Sequence, residues 1–448
     1  MFDQSFTSKN LARIYHSENK RGVNVAGMFF PEILKDYEKI KRVRRLVTKL
    51  FGSRRRYSKS TFEARVYKLY EMKRGFVLKK NEKIEFYLES VARQVSSRRF
   101  SFKINKLEYS KNGKDVYVTS GDAVSFFAEK QIQKNIKYTY GVKQADRDII
   151  VPQLRSVLGD TFPKFVIKAD IDSFYESIDQ GLLIKKLNEN PILSLSTRKL
   201  IAQLLRDYNS LTGKGKGVPR GIGISAYLSE LYLKDFDKKV RDIDNLVYYS
   251  RYVDDIVVVI SPSPGETVEG CFKKLSDLIK SDFLSLNESK SEQFDYSGKG
   301  VTFSFDYLGY KFRKNGKNLY LSISDKKKEK YIERIKSSVE RYKKNSVKQP
   351  RKAKKEFFMR LRFLTANTSL SNNKGNAVVG IYNTNKWATD TGFLESLDSF
   401  LDAQIKTISD NSVKKKARHF KFSDGFLSRK FCHFSPAEFK TIVKVWSS

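Results

Sequence analysis

Asp254 and Asp255 stand side by side in Tyr252-Val253-Asp254-Asp255, with an apolar run at 256–260 after them and another at 246–249 before. Aromatic and β-branched runs on either side of a short polar break read as a tight β-hairpin with both carboxylates at its turn. Adjacent carboxylates between apolar strands are costly to bury unless a cation compensates them. Hard divalent metals take oxygen ligands, and Mg²⁺ requires only one or two carboxylates beside substrate phosphates. The chemistry on offer is metal-assisted phosphoryl transfer. It needs a further carboxylate, from a separate strand, to clamp two metals about 3.5–4 Å apart. Residues 165–170 read as a strand whose end places Asp170 to supply it. Asp172 is the rival, and in a strand it would share a face with Asp170.

Other blocks must position these groups. Gly217-Val218-Pro219-Arg220-Gly221-Ile222-Gly223-Ile224-Ser225 is a glycine-punctuated loop that opens a long amphipathic helix over 226–240. Its Gly and Pro permit close approach of backbone to a nucleotide or template base. Leu284-Ser285-Leu286-Asn287-Glu288-Ser289-Lys290 and Phe305-Asp306-Tyr307-Leu308-Gly309-Tyr310-Lys311-Phe312 follow. Upstream, Lys143 and Arg147 precede Ile149-Ile150-Val151-Pro152. Arg meets phosphate with a rigid fork and Lys with a point charge.

In this order, over residues 165–312, the blocks resemble the palm of reverse transcriptases, and the likeness reaches fingers and palm over roughly 100–320. Tyr252 to Asp255 resembles the family's metal-binding hairpin. The family pattern of an Asp, an apolar residue whose carbonyl reaches a metal, and an aromatic five positions after the Asp is met by Asp170, Ile171 and Tyr175. It favours Asp170 over Asp172. The resemblance implies a right-hand α+β polymerase with fingers, a palm built on antiparallel sheet, and a helical thumb. It implies Mg²⁺, two ions with Mn²⁺ as a substitute, held by Asp170, Asp254, Asp255 and the Ile171 carbonyl. Lys290 matches the family's Lys that protonates the departing pyrophosphate. Tyr307, Leu308 and Gly309 match the hairpin that holds the primer end. Lys143 and Arg147 match the cations on the incoming triphosphate, although Gln144-Ala145-Asp146 stands where Asp-Gly is usual. Tyr175 matches the aromatic under the sugar, and Arg220 and Gly221 lie in the nucleotide-binding loop. Retroviral and intron enzymes carry Gln where this chain has Arg220.

Gly217 to Ala226 and Phe174-Tyr175-Glu176-Ser177-Ile178 look most like the bacterial defence-associated branch, the abortive-infection and unknown-group enzymes. The opening 3–11 stretch and the late 362–368 stretch resemble one subtype, the third, in which two polymerases and a non-coding RNA work together. The implied partners are a structured non-coding RNA template, a DNA primer or product, dNTPs and a second reverse transcriptase subunit, with no membrane. Alternatives are template-independent or protein-primed DNA synthesis on the same site, RNA-directed RNA synthesis (against which Tyr175 argues), and a catalytically idle RNA-binding scaffold.

Composition points the same way. The 448 residues carry a formal net charge of +37, with 87 Lys and Arg against 50 Asp and Glu. Such an excess attracts polyanions. Twenty-four Tyr and 33 Phe supply faces on which bases stack, as well as core. Two distant cysteines, Cys271 and Cys432, offer no disulfide framework. With three His, no Cys-x-x-Cys pair and no His-Asn-His pattern, a fused endonuclease is not expected, and no ribonuclease H carboxylate quartet follows residue 330. Without a signal peptide or long apolar run, a cytoplasmic protein is expected.

Three regions are expected: a basic, mainly helical N-terminal extension over 1–100, fingers and palm over 101–320, and a helical thumb with the C-terminal part over 321–448. Residues 39–62 hold ten Lys or Arg and no acid, including Arg44, Arg45, Arg54, Arg55 and Arg56. These are candidate RNA contacts. Val43, Leu46, Val47 and Leu50 form an apolar stripe beneath them. Residues 103–118 read as a hairpin turning at Asn112-Gly113. Ser324 is a candidate cap for a helix with Tyr331, Ile335, Val339 and Tyr342 on one face. Residues 343–355, broken by Pro350, read as a basic linker, and 372–376 as a loop.

Overall fold

The structure, a computed structural model, describes residues 2–110, 113–189, 191–296, 302–370 and 377–446. The fold is α+β, and by packing the chain forms two compact units. One comprises Met1–Lys143 and Ser173–Lys234, the other Gln144–Asp172 and Asp235–Ser448.

The first unit is mostly helical. Its helix Pro31–Gly52 starts on a proline, whose missing N–H is not needed in a first turn. It packs along Lys59–Ser96, whose first turn is capped by the Ser58 hydroxyl accepting from the Thr61 N–H. Ile40, Val43 and Leu50 are buried in the seam. Leu46, expected in that stripe, is 45% exposed because it falls at the seam's edge. Ile104–Lys106 and Tyr117–Thr119 pair antiparallel as the expected hairpin. Asn112, its expected tip, lies outside the described residues. The single helix expected over 226–240 is two, Gly223–Tyr232 in this unit and Lys234–Arg241, which falls to the other unit from Asp235 on, because Leu233 leaves helical geometry at φ −87°, ψ 3°. The opening stretch is a strap. Gln4 Nε2 donates to the Ile192 carbonyl at 2.8 Å, Gln4 Oε1 accepts the Ser194 N–H at 2.6 Å, and the Gln4 carbonyl accepts from buried Asn135 at 2.9 Å.

The second unit contains a four-stranded antiparallel sheet in the order Leu246–Tyr252, Asp255–Ile260, Lys164–Asp170, Glu292–Tyr296. Lys164–Asp170 is flanked by a strand on both edges, and all but one of its residues are buried. Val166, Val257 and Val259 pack with Leu154, Phe305 and Phe312, joining this sheet to a second one of Thr302–Tyr307, Tyr310–Asn315 and Asn318–Ile323. Helix Asp325–Ser346 buries Tyr331, Ile335, Val339 and Tyr342 as its pattern requires. Ser324 stands at its start, but its hydroxyl makes no cap; the Lys327 and Lys328 amides bond the Ser324 carbonyl instead. The linker expected over 343–355 is also corrected. Helix continues to Ser346 and resumes at Pro350, which opens Pro350–Thr365 rather than breaking it. In the late stretch, buried Asn367 accepts the Tyr382 and Asn383 N–H groups and donates to the Lys430 carbonyl, each at 3.0 Å. Residues 372–376, the expected loop, lie outside the described residues. Cys271 and Cys432 are both free. Among the described residues no helix is long and apolar enough to cross a membrane.

Candidate active site

Tyr252 pairs with Asp255 across the hairpin, leaving Val253 and Asp254 as a two-residue turn. On the other edge of the same strand Asp255 pairs with Asp170, so antiparallel register brings together carboxylates 85 positions apart in the chain. Backbone bonds lock the join. The Ile171 N–H donates to the Asp254 carbonyl at 3.0 Å, and the Asn287 N–H donates to the Asp170 carbonyl at 2.7 Å. Asp170 is buried, and Asp254 and Asp255 are half-buried. Asp172, the rival, is exposed beyond the strand's end, where its N–H bonds the Ser285 carbonyl.

The turn itself is strained. Val253 has φ +62°, a region costly for a β-branched residue. Arg251 holds it there. Its Nη1 donates to the Val253 carbonyl at 3.0 Å, while Nε and Nη2 each bond an Asp237 carboxylate oxygen at 2.8 Å. The Tyr249 hydroxyl adds a third bond to Asp237, at 2.6 Å. The Arg251 side chain is only 4% exposed, so its two-point pairing satisfies a charge that would be costly to bury alone. Sequence reading missed both residues. An Arg inside an apolar strand was the signal, since a buried cation demands an acid, but its partner 14 positions upstream was not readable.

Burial, then Asp254, then Asp170 push the Asp255 carboxyl up to about 6. The site therefore resists negative charge until a cation compensates it. An all-oxygen donor set of this kind fits a hard divalent ion. Among the described residues no three acidic, His or Cys side chains close a metal cage unaided. Mg²⁺ does not need such a cage, because it completes its shell with water and substrate phosphates.

Residues 79–312, more than half of the chain, match the family model described as reverse transcriptase (RNA-dependent DNA polymerase). The chain belongs to the reverse transcriptases. No curated protein matches it. A right-hand polymerase fold and RNA-directed DNA polymerase activity follow from the family, and with them an RNA template, a DNA primer and dNTPs.

In this reverse transcriptase Lys290 reaches Asp170 Oδ1 at 3.0 Å from a short turn, Glu288–Lys290. That bond raises its pKa, so the ammonium stays charged at neutral pH. Leu308 and Gly309, at φ +49° and +75°, form the two-residue turn between Tyr307 and Tyr310. They line a cavity of about 540 Å³ with Asp255, Lys330 and Arg334. Tyr307 lies deeper than the two turn residues. It is 2% exposed, packed in the core, and its hydroxyl lies 3.4 Å from the Ser250 hydroxyl and 3.5 Å from the Asp255 carbonyl. It supports the hairpin from within the core and also lines that cavity. Arg147, expected on the triphosphate, lies over the Tyr310 ring at 4.7 Å and donates to the Thr384 carbonyl at 3.2 Å. Lys327 shares both partners, at 5.2 Å and 2.8 Å. Burial and the neighbouring Arg147 lower Lys327 to about 7.

The other expected nucleotide-binding residues belong to the first unit. Arg220 is bidentate to Glu176, with Nε at 3.0 Å and Nη2 at 3.1 Å, and its guanidinium lies over the Tyr175 ring at 4.9 Å. The cation that replaces the usual Gln is thus committed to Tyr175 and its neighbour. Gly221 is at φ +103°, and a Cβ there would stand 2.5 Å from the Tyr117 carbonyl oxygen. Packing against the Tyr117 strand explains this glycine without a nucleotide. Lys143 is exposed. Arg44 and Arg45 are exposed on Pro31–Gly52, Arg55 and Arg56 are exposed in the turn that follows, and Arg54 packs on the Phe62 ring at 4.4 Å.

Proposed function

We propose that the enzyme extends a DNA 3′ end along RNA at a site made by Asp170, Asp254 and Asp255. The observation that carries this reading is the register pairing Asp255 with Asp170, one residue from the strained, Arg251-held turn. These carboxylates and the Ile171 carbonyl would hold two Mg²⁺, which when bound lower the pKa of the attacking 3′ hydroxyl and neutralise charge on the leaving phosphates. Lys290, charged at neutral pH, donates a proton to the departing pyrophosphate. Leu308 and Gly309 bound the space for the primer end. Tyr175, steadied by Arg220 and Glu176, excludes a 2′ hydroxyl.

The functional regions we assign are a basic N-terminal extension over 1–100, fingers and palm over 101–320, and thumb with C-terminal part over 321–448. Within the extension, Arg44, Arg45, Arg54, Arg55 and Arg56 contact a structured non-coding RNA that supplies the template. By resemblance of the Gly217 loop and of 174–178, the biological role is bacterial anti-phage defence, and by resemblance of 3–11 and 362–368 a second reverse transcriptase subunit takes part.

Incubating the protein with labelled dNTPs or rNTPs, with and without added template, separates the readings. Template-dependent dNTP incorporation supports this one. Incorporation independent of template points to the protein-primed or template-free alternative, and none at all to an idle scaffold. Tyr175→Ala should raise ribonucleotide use relative to deoxyribonucleotides; an unchanged ratio removes Tyr175 as the steric gate.

A further inference from the structure

Two helical stripes of the first unit face each other with a gap between them. On Pro31–Gly52 the stripe is Leu46, Lys49, Leu50 and, just past the helix end, Ser53; on Lys59–Ser96 it is Arg65, Lys68, Leu69 and Met72. Both follow the i, i+3, i+4, i+7 spacing of one helix face. Together with Tyr57 they bound a groove of about 390 Å³. Its floor is aliphatic, yet Leu46 and Met72 are 45% and 43% exposed. Apolar surface left open on so charged a surface marks a contact site.

Its surroundings select the occupant. Residues 39–62 carry ten cations, and Arg65, Lys68, Lys73 and Arg74 follow, against Glu63 and Glu71 alone. The cations are not confined to the groove's rim. They continue over the outer face of Pro31–Gly52 and around the Arg54–Arg56 turn. An acidic helix seated in the groove would reach only the rim, whereas a chain of phosphates can follow all of them. Arg65 lies on the Tyr57 ring and Arg54 on the Phe62 ring, each at 4.4 Å. Flat guanidinium and aromatic faces beside an apolar slot are what an unstacked base meets in single-stranded RNA recognition.

We propose that this groove takes the base of an unpaired RNA nucleotide, while Lys49, Arg65 and Lys68 meet its flanking phosphates. The proposal rests on the assignment of this basic region to RNA. It adds that the helix pair reads an unpaired segment and does not bind charge alone.

The test uses the full chain and two oligoadenylates of about twelve nucleotides, a common span for a single-stranded site. One is intact. The other carries abasic sugars at its central positions, so the phosphates are equal in number. The wild type should prefer the intact strand by about tenfold or more, the scale of base stacking on protein. The double variant Leu46→Ser with Met72→Ser should bring that ratio close to one and leave abasic affinity and its salt slope unchanged. Both side chains are half-exposed, and an unchanged melting temperature checks the fold. A ratio that survives the double variant overturns the groove and leaves the basic-face reading intact. If neutralising Arg44, Arg45, Arg54, Arg55 and Arg56 changes neither oligonucleotide's affinity nor its salt slope, the RNA reading itself falls. If the double variant spares both strands but abolishes binding of an acidic amphipathic peptide, the occupant is a protein and the proposal is wrong.

Discussion

The carboxylate hairpin and the basic helix pair handle charge in opposite ways. Around the hairpin the cations sit on acids: Arg251 on Asp237, Lys290 on Asp170, Lys168 on Glu292 at 2.8 Å. On the helix pair most cations face solvent with few acids near them in sequence. Interlocked, partly buried charges in a low effective dielectric are strong and position-sensitive. Exposed like charges are weak singly, add over many phosphates and are screened by salt. A small displacement should therefore disable the first region, whereas the second should lose function in increments.

The largest expected effect tests the hairpin. Asp254→Asn should lower incorporation by at least about 10³-fold, the scale of losing a preorganised electrostatic group. Its melting temperature should hold or rise, because a like charge beside Asp255 is gone. Asp172→Asn is the control and should keep appreciable activity. Wild-type synthesis by Asp254→Asn would remove the hairpin from the chemistry.

Lys290→Leu should slow single-turnover incorporation by about 10²-fold, the low end for a general acid. Affinity for dNTP should change less than the rate. Loss of affinity alone would reduce Lys290 to charge attraction.

Arg251→Met should cost up to about 3 kcal/mol of stability by leaving half-buried Asp237 without its cation, with only the Tyr249 hydroxyl bond remaining. It should also lower kcat about 10²-fold through a shifted turn. Adding Asp237→Leu should restore most of the stability but not the rate, since the Val253 carbonyl still lacks its donor. Full activity in that double variant would make Arg251 a core plug with no positioning role.

On the helix pair, neutralising the five arginines should lower the salt slope of RNA binding by about 0.7–0.9 for each phosphate no longer neutralised by the protein. The loss should be graded across single variants. A cliff at one arginine would break the contrast between the regions.

The smallest effect concerns Lys327, whose pKa is lowered to about 7 in the fold. The unfolded chain then binds more protons between that value and the ordinary Lys range near 10.4, so this group makes stability rise with pH across the window. Lys327→Met should stabilise the protein more at pH 6, where the native ammonium is charged against its surroundings, than at pH 9, where it is already neutral. Equal gains at both pH values, measured by chemical denaturation, would refute the shift.

Much of the candidate site was legible because local chemistry is written locally. The apolar runs around Asp254 and Asp255 dictate a hairpin, and the run before Asp170 dictates a strand ending at a carboxylate. The helix face of Tyr331, Ile335, Val339 and Tyr342 follows from a 3.6-residue period. Where reading failed, a single backbone choice lay beneath the pattern. Pro350 is equally a helix breaker and a helix starter, and only the packing of Ala353, Phe357 and Leu361 decides. Leu233 splits a helix that periodicity runs through.

The sequence by itself determined the kind of chemistry, the family, and the polyanion-seeking charge, because residue types and short spacings carry these. Tertiary structure alone decided which residues answer to which. It set Asp255 opposite Asp170, gave Arg251 its Asp237, tied Arg220 to Glu176 over Tyr175, buried the Tyr307 ring and opened the groove beside Leu46. Strand register and helix packing join residues tens of positions apart, and the chain's own spacing carries no record of those distances.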